Sequence, residues 1–170
     1  MKFLKLRLLA IAVIGFAFSG TANAQATQNI DVTAFVPNVC IIDATTENTM
    51  TFDLSGVSTA TLPFDAITTL AWRCSAGFNT VIEIGPGGSA DQENRQLLFG
   101  AIPLNYNLFT DGTFGQIWGD GTGTTGTVPA VGTGMSSVGT TIVFGRIPLA
   151  DAQAAVSGIY TDTVLVTVVF

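Results

Sequence analysis

Tyr160-Thr161-Asp162-Thr163-Val164-Leu165-Val166-Thr167-Val168-Val169-Phe170 puts Val164, Val166, Val168 and Phe170 on one side of an extended chain and Thr163, Leu165, Thr167 and Val169 on the other. A period of two, carried by β-branched residues, predicts a strand with one buried face. It is the most apolar stretch of its kind, and the given sequence stops there.

The same alternation recurs upstream. Ile30, Val32, Ala34 and Val36 alternate with Asn29, Asp31, Thr33 and Phe35 up to Pro37, and Met50, Phe52 and Leu54 alternate with Thr51 and Asp53. Leu70, Trp72 and Cys74 form a third set. Val81 to Ile84 ends at the breaker Gly85-Pro86-Gly87-Gly88, Leu104 to Leu108 is closed by Asp111-Gly112, and Thr141 to Ile147 adds another strand. Gly119 to Gly139, dominated by Gly and Thr, reads as a long surface loop or weak hairpin too poor in packing side chains for a core. Leu149 to Val156, after Pro148, offers one or two helical turns. About seven or eight short strands with such turns predict an all-β chain with an immunoglobulin-like β-sandwich.

The first 24 residues have a different character. Lys2, Lys5 and Arg7 precede the apolar run Leu8 to Phe18 and the small residues Ala22-Asn23-Ala24, the plan of a cleaved signal peptide. The run is shorter than the roughly 20 residues of a spanning helix, and the residue directly after the cleavage site is Gln25 and not a Cys that could carry a lipid, so direct membrane insertion is not expected. The exported product would be residues 25–170, a soluble chain. It keeps three arginines and no lysine against all 12 acids, a net charge of −9. Such a surface repels nucleic acid and anionic lipid.

Cys40 and Cys74 are the only cysteines of the chain, so in an oxidising compartment they have one way to pair. A bridge closing about 34 residues contributes roughly 3 to 4 kcal/mol in the chain-entropy account.

Catalytic and binding chemistry is sparse. The sequence has no His, and residues 25–170 have no Lys, which removes the usual bases for a Ser, Thr or Cys nucleophile. An enzyme, a cofactor and a metal site are not expected. Gly121, Gly123 and Gly126 match the letters of a dinucleotide fingerprint without its strand and helix. Asp91 and Glu93 beside Arg95, and Asp111 with Asp120, read as surface acids. Trp72 belongs in the core, whereas Trp118, in Trp-Gly-Asp at a loop edge, is either packed under the loop or available to stack on a sugar.

The segment Ile30 to Val36 four residues before Cys40 carries a resemblance, together with the block Gly158-Ile159-Tyr160-Thr161-Asp162-Thr163-Val164 and its continuation to Phe170. So do Arg95, Leu104-Asn105-Tyr106-Asn107-Leu108-Phe109-Thr110-Asp111, Trp118-Gly119 and Phe144-Gly145-Arg146-Ile147. Together they resemble the spore coat protein U domain family, the archaic, Csu-like chaperone-usher pilins. The resemblance implies an incomplete immunoglobulin-like sandwich lacking its last strand and completed by donor-strand complementation from another chain. It implies a signal peptide over 1–24, a donor extension over 25–37 with Ile30, Val32, Ala34 and Val36 as donor residues, and a pilin domain over 38–170. Val164, Val166, Val168 and Phe170 would form the acceptor edge where a chaperone docks. The implied partners are neighbouring pilin subunits, a periplasmic chaperone and an outer-membrane usher, with surface adhesion and biofilm formation as the outcome. The competing expectation is a monomeric secreted carbohydrate-binding or coat module, self-complemented by its own N-terminal strand, with Trp118 as its stacking surface.

Overall fold

A computed structural model describes residues 25–43 and 49–170. The expected signal peptide lies outside the described residues. The chain divides after Phe35 into two units, 1–35 and 36–170. Of the first, residues 25–35 are exposed and enter no strand. The alternation at 30–36 therefore does not mark a strand packed by one face. Ile30, Val32 and Val36 are 84%, 88% and 79% exposed.

Among the described residues the second unit contains eight strands, β1 (Cys40–Ile42), β2 (Phe64–Cys74), β3 (Asn79–Ile84), β4 (Arg95–Phe99), β5 (Ile102–Phe109), β6 (Val128–Val131), β7 (Gly139–Ile147) and β8 (Val166–Val169). A 3-10 turn covers Gly87–Ser89, and one helix, α1, covers Leu149–Ala154. The strands form a five-stranded sheet in the order β1-β2-β7-β5-β4 and a three-stranded sheet in the order β6-β3-β8, with every pairing antiparallel. Leu70 and Trp72 of β2, Leu104 and Leu108 of β5, and Val143 and Ile147 of β7 are buried, as are Ile82 and Ile84 of β3 and Ala130 of β6. The inward sets on β2, β3, β5 and β7 repeat every second residue, the period that a half-buried strand imposes. Two antiparallel sheets closing one core make an immunoglobulin-like β-sandwich.

Cys40 and Cys74 are register partners on β1 and β2 and are bridged. Beside them the Ser75 hydroxyl donates to the Pro37 carbonyl and accepts from the Val39 N–H, both at 3.0 Å. The Ser75 N–H donates to the Val39 carbonyl at 2.9 Å. The chain thus enters the sandwich through a fixed point.

Three expectations need correction. The loop expected over 119–139 contains β6, the outer strand of the smaller sheet, where Pro129 is tolerated because an edge leaves one side unpaired. Its Ala130 belongs to the core. Met50, Phe52 and Leu54 do alternate in burial with Thr51 and Asp53, yet the segment joins no ladder among the described residues. In the stretch from Tyr160 to Phe170 only Val166–Val169 pairs as a strand, with an isolated bridge between Thr161 and Leu98.

Candidate functional site

Between Met50–Leu54 and the stretch 158–166 the sandwich is open. β8 ends the order of its sheet, so one side pairs with β3 and the other faces no strand among the described residues. The opening is a groove with two lobes of about 780 and 560 Å³. Leu104, Ile147 and Ala152 line the first lobe, and Leu70, Leu108 and Val143 line the second. Met50, Phe52, Leu97 and Asp162 border both. Gly145 of β7 makes room for the Met50 lip, because a Cβ there would collide with Met50 Sδ and the Phe52 ring.

The residues expected to act together fall into three places. Val164, Val166 and Val168 pack against the core, and Val164 and Val166 wall the second lobe. Phe170 stands apart, 63% exposed, its ring edge-on to Phe78 at 5.5 Å. Ile30, Val32, Ala34 and Val36 are exposed.

A polar network that sequence reasoning missed lies behind the groove. Arg95 is completely buried at the start of β4. Its Nε donates to the Gly85 carbonyl at 3.0 Å, and Nη1 to the Gln92 carbonyl at 3.1 Å and Asn107 Oδ1 at 2.7 Å. Nη2 donates to the carbonyls of Ile84 at 2.9 Å and Trp118 at 2.8 Å. All five guanidinium N–H groups are used, on neutral oxygens. Burial lowers the Arg95 pKa, against the fields of Tyr106, Asp162 and Asp91. Tyr106 of β5 donates its hydroxyl proton to Asp162 Oδ2 at 2.7 Å. Burial first, and the Asp162 bond second, push the phenol well above its ordinary value of 10.0. Arg95, Tyr106, Trp118 and Asp162 are all landmarks of the resemblance, and that was the available signal for the network.

The carbohydrate reading loses its side chain. Trp118 is completely buried and donates Nε1–H to the Ile82 carbonyl at 2.9 Å, so no ring face is available for a sugar.

The acidic residues serve as loop fasteners. Asp111 accepts from the Thr113 hydroxyl and N–H, and Asp120 likewise from Thr122. Glu93 accepts from the N–H and hydroxyl of Thr124, and Asp91 from the Asn94 side chain and the Glu93 N–H. These bonds hold all four carboxyls below their ordinary values, opposite to the shift a general acid needs. Among the described residues no three His, Cys, Asp or Glu side chains gather as a metal site, and no helix is long and apolar enough to cross a membrane.

The arrangement suits an extended apolar chain: a long hydrophobic slot beside an unpaired strand edge, whose N–H and C=O groups need a partner. Comparison with known proteins agrees with this architecture. A solved structure, that of the CsuC–CsuE chaperone–tip adhesion subunit pre-assembly complex from archaic chaperone-usher Csu pili of Acinetobacter baumannii, contains a similar chain. It superposes with a TM-score of 0.55 at 19% identity, over 79% of this chain and 40% of that one, a likeness of fold. No curated protein sequence matches the chain. The Spore Coat Protein U domain matches residues 26–167, nearly the whole chain beyond its N-terminal 24 residues. The chain belongs to the Spore Coat Protein U domain family.

Proposed function

We propose that the chain is a structural, non-catalytic subunit of an archaic chaperone-usher pilus, assembled by donor-strand exchange and serving surface adhesion and biofilm formation. The observation that carries this reading is the open groove beside the free edge of β8, in a chain whose residues 30–36 carry exposed apolar side chains at two-residue spacing. Residues 25–37 act as the donor extension and 38–170 as the pilin domain, after a signal peptide over 1–24 directs the chain to the periplasm. A chaperone lends a strand to the groove first. An usher then catalyses its replacement by the Ile30, Val32, Ala34 and Val36 face of the next subunit.

The energies are sufficient. Burying Ile30, Val32 and Val36 yields roughly 1.5 to 3 kcal/mol per side chain. Each ladder bond to the β8 edge adds about 0.5 to 1.5 kcal/mol net. The contact joins two different surfaces head to tail, so it does not close and the product is a filament.

The test is co-expression of the full-length chain with a periplasmic chaperone, and then an unheated SDS gel of the periplasmic fraction. A ladder of multimers that collapses on boiling and vanishes when residues 25–36 are deleted is the expected result. A folded monomer that needs residues 25–36 for its own stability would mean self-complementation and overturn the proposal.

A further inference from the structure

The lip of the groove opposite Met50, residues 158–166, changes sheets as it runs. At Thr161 it exchanges backbone hydrogen bonds of 2.9 and 3.0 Å with Leu98 of β4, in the five-stranded sheet. Four residues later the Leu165 carbonyl accepts from the Gly85 N–H at 2.8 Å, at the end of β3 in the other sheet. The crossover between these two points belongs to no ladder. One side chain ties it down.

Asp162 Oδ2 accepts from the Tyr106 hydroxyl at 2.7 Å, and Oδ1 accepts from the N–H groups of Gly88 at 2.9 Å and Thr163 at 2.7 Å. Tyr106 belongs to β5 of the five-stranded sheet, while Gly88 lies in the 3-10 turn that leaves β3. A single carboxylate therefore links the lip to both halves of the sandwich. Gly87 has a φ of 69°, and a Cβ there would collide with the Asp162 carboxylate, so the turn approaches this closely only as glycine. Behind Tyr106, Arg95 binds the carbonyls of Ile84 and Gly85, where β3 meets the turn, so the anchor itself is held. Asp162 borders both lobes, at the waist of the groove.

We infer that Asp162 is a positioning residue for strand capture, holding the lip at a fixed distance from the groove floor before any strand arrives. This inference rests on the strand-accepting role proposed above. A loose lip must be ordered at the moment of capture, and that conformational entropy slows and weakens binding, whereas an anchored lip has lost it already. Tyr106 acts through Asp162, and its own ring keeps its edge-on contact with Phe52 at 6.2 Å whether or not the hydroxyl is present. Tyr106→Phe is thus the gentle probe, Asp162→Ala the severe one, and Asp162→Asn the conservative variant, because its amide oxygen still accepts from the Gly88 and Thr163 N–H groups and its NH2 offers a donor to the phenol oxygen.

The test uses the exported full chain with its disulfide intact, a labelled synthetic peptide of residues 25–39 in excess, and two readouts. These are the peptide capture rate and amide hydrogen exchange along the unfilled chain. The expected result is capture slowed at least tenfold in Asp162→Ala, slowed severalfold in Tyr106→Phe, and largely restored in Asp162→Asn. Faster exchange should be confined to 159–165 and disappear once peptide is bound. Exchange rising equally across β3, β5 and β7 would mark a merely structural residue and overturn the inference. Capture within twofold of wild type in Tyr106→Phe would overturn it as well, even if Asp162→Ala does not fold. Wild-type chain that captures no peptide overturns the strand-accepting role and this inference together, whereas normal wild-type capture with unaffected variants overturns this inference alone.

Discussion

Ile30, Val32, Ala34 and Val36 obey the same rule of spacing as Val164, Val166 and Val168, yet the two sets have opposite environments. The first is exposed and, among the described residues, without ladder partners, whereas the second is packed against the core, with β3 alongside its strand. A period of two states only that one face of an extended chain is apolar. Whether that face is covered depends on an opposing sheet, and whether the edges are paired depends on neighbouring strands, neither of which the segment itself encodes. Among the described residues β8 has a ladder neighbour on one side and none on the other, so the C-terminal set is both core and open edge.

The comparison can be broken from several sides. The largest effect is expected from Arg95→Ala, which takes the Arg95 donor from four carbonyls, while Asn107 Oδ1 keeps its bond from the Leu108 N–H. At about 1 to 3 kcal/mol per stranded group the total exceeds about 4 kcal/mol, and chemical denaturation should find the domain unfolded or nearly so. Replacing both cysteines by serine removes the bridge between β1 and β2. A loss of about 3 kcal/mol in the same denaturation experiment is expected, from the unfolded state regaining its freedom.

Val166→Asp and Val32→Asp place the same charge in the two matching patterns. The first puts a carboxylate against the core and should destabilise the domain by about 2 to 3 kcal/mol. The second should leave the denaturation midpoint within about 0.5 kcal/mol of wild type, as exposed substitutions do, and abolish the multimer ladder. A Val32→Asp chain that loses domain stability, or that still polymerises, would erase the contrast.

Acid gives the smallest effect. Asp91, Glu93, Asp111 and Asp120 have folded pKa values lowered from 3.8 for aspartate and 4.5 for glutamate. The unfolded chain binds protons first, so their contribution is complete above about pH 5 and is lost as pH falls below 4.5 through the depressed values. Thermal midpoints should be level from pH 7 to 5 and decline by pH 3. Loosening should be seen in the loops around 91–94, 111–116 and 120–125 before the packed C-terminal segment.

Much of the fold was legible because β2, β3, β5 and β7 keep their apolar residues on one face. β4 was not. Its inward residue Arg95 reads as a surface charge, and Leu97-Leu98 breaks the alternation. β6 was hidden by Pro129 and the surrounding glycines and threonines, although Ala130 reaches the core. Met50 to Leu54 showed the burial pattern of a strand, but a ladder needs a second chain beside it, and the pattern carries no information about that. The groove is a gap between segments distant in sequence, so no local motif announces it. Asp162 stood in the block that carries the resemblance, but its partners Tyr106 and Gly88 are brought to it only by folding.

The three arginines of residues 25–170 are each committed. Arg73 pairs with Asp43 at 2.8 Å, Arg146 pairs with Asp65 at 2.7 Å under the Phe114 ring, and Arg95 is enclosed. All three lie within strands, in β2, β4 and β7. With no lysine in that span, a trypsin-like protease finds only the bonds after Arg73, Arg95 and Arg146 to attack, and each must first be pulled out of its sheet. Digestion of the folded domain by such an enzyme is therefore governed by unfolding, and amine-directed cross-linkers find no side chain there to modify.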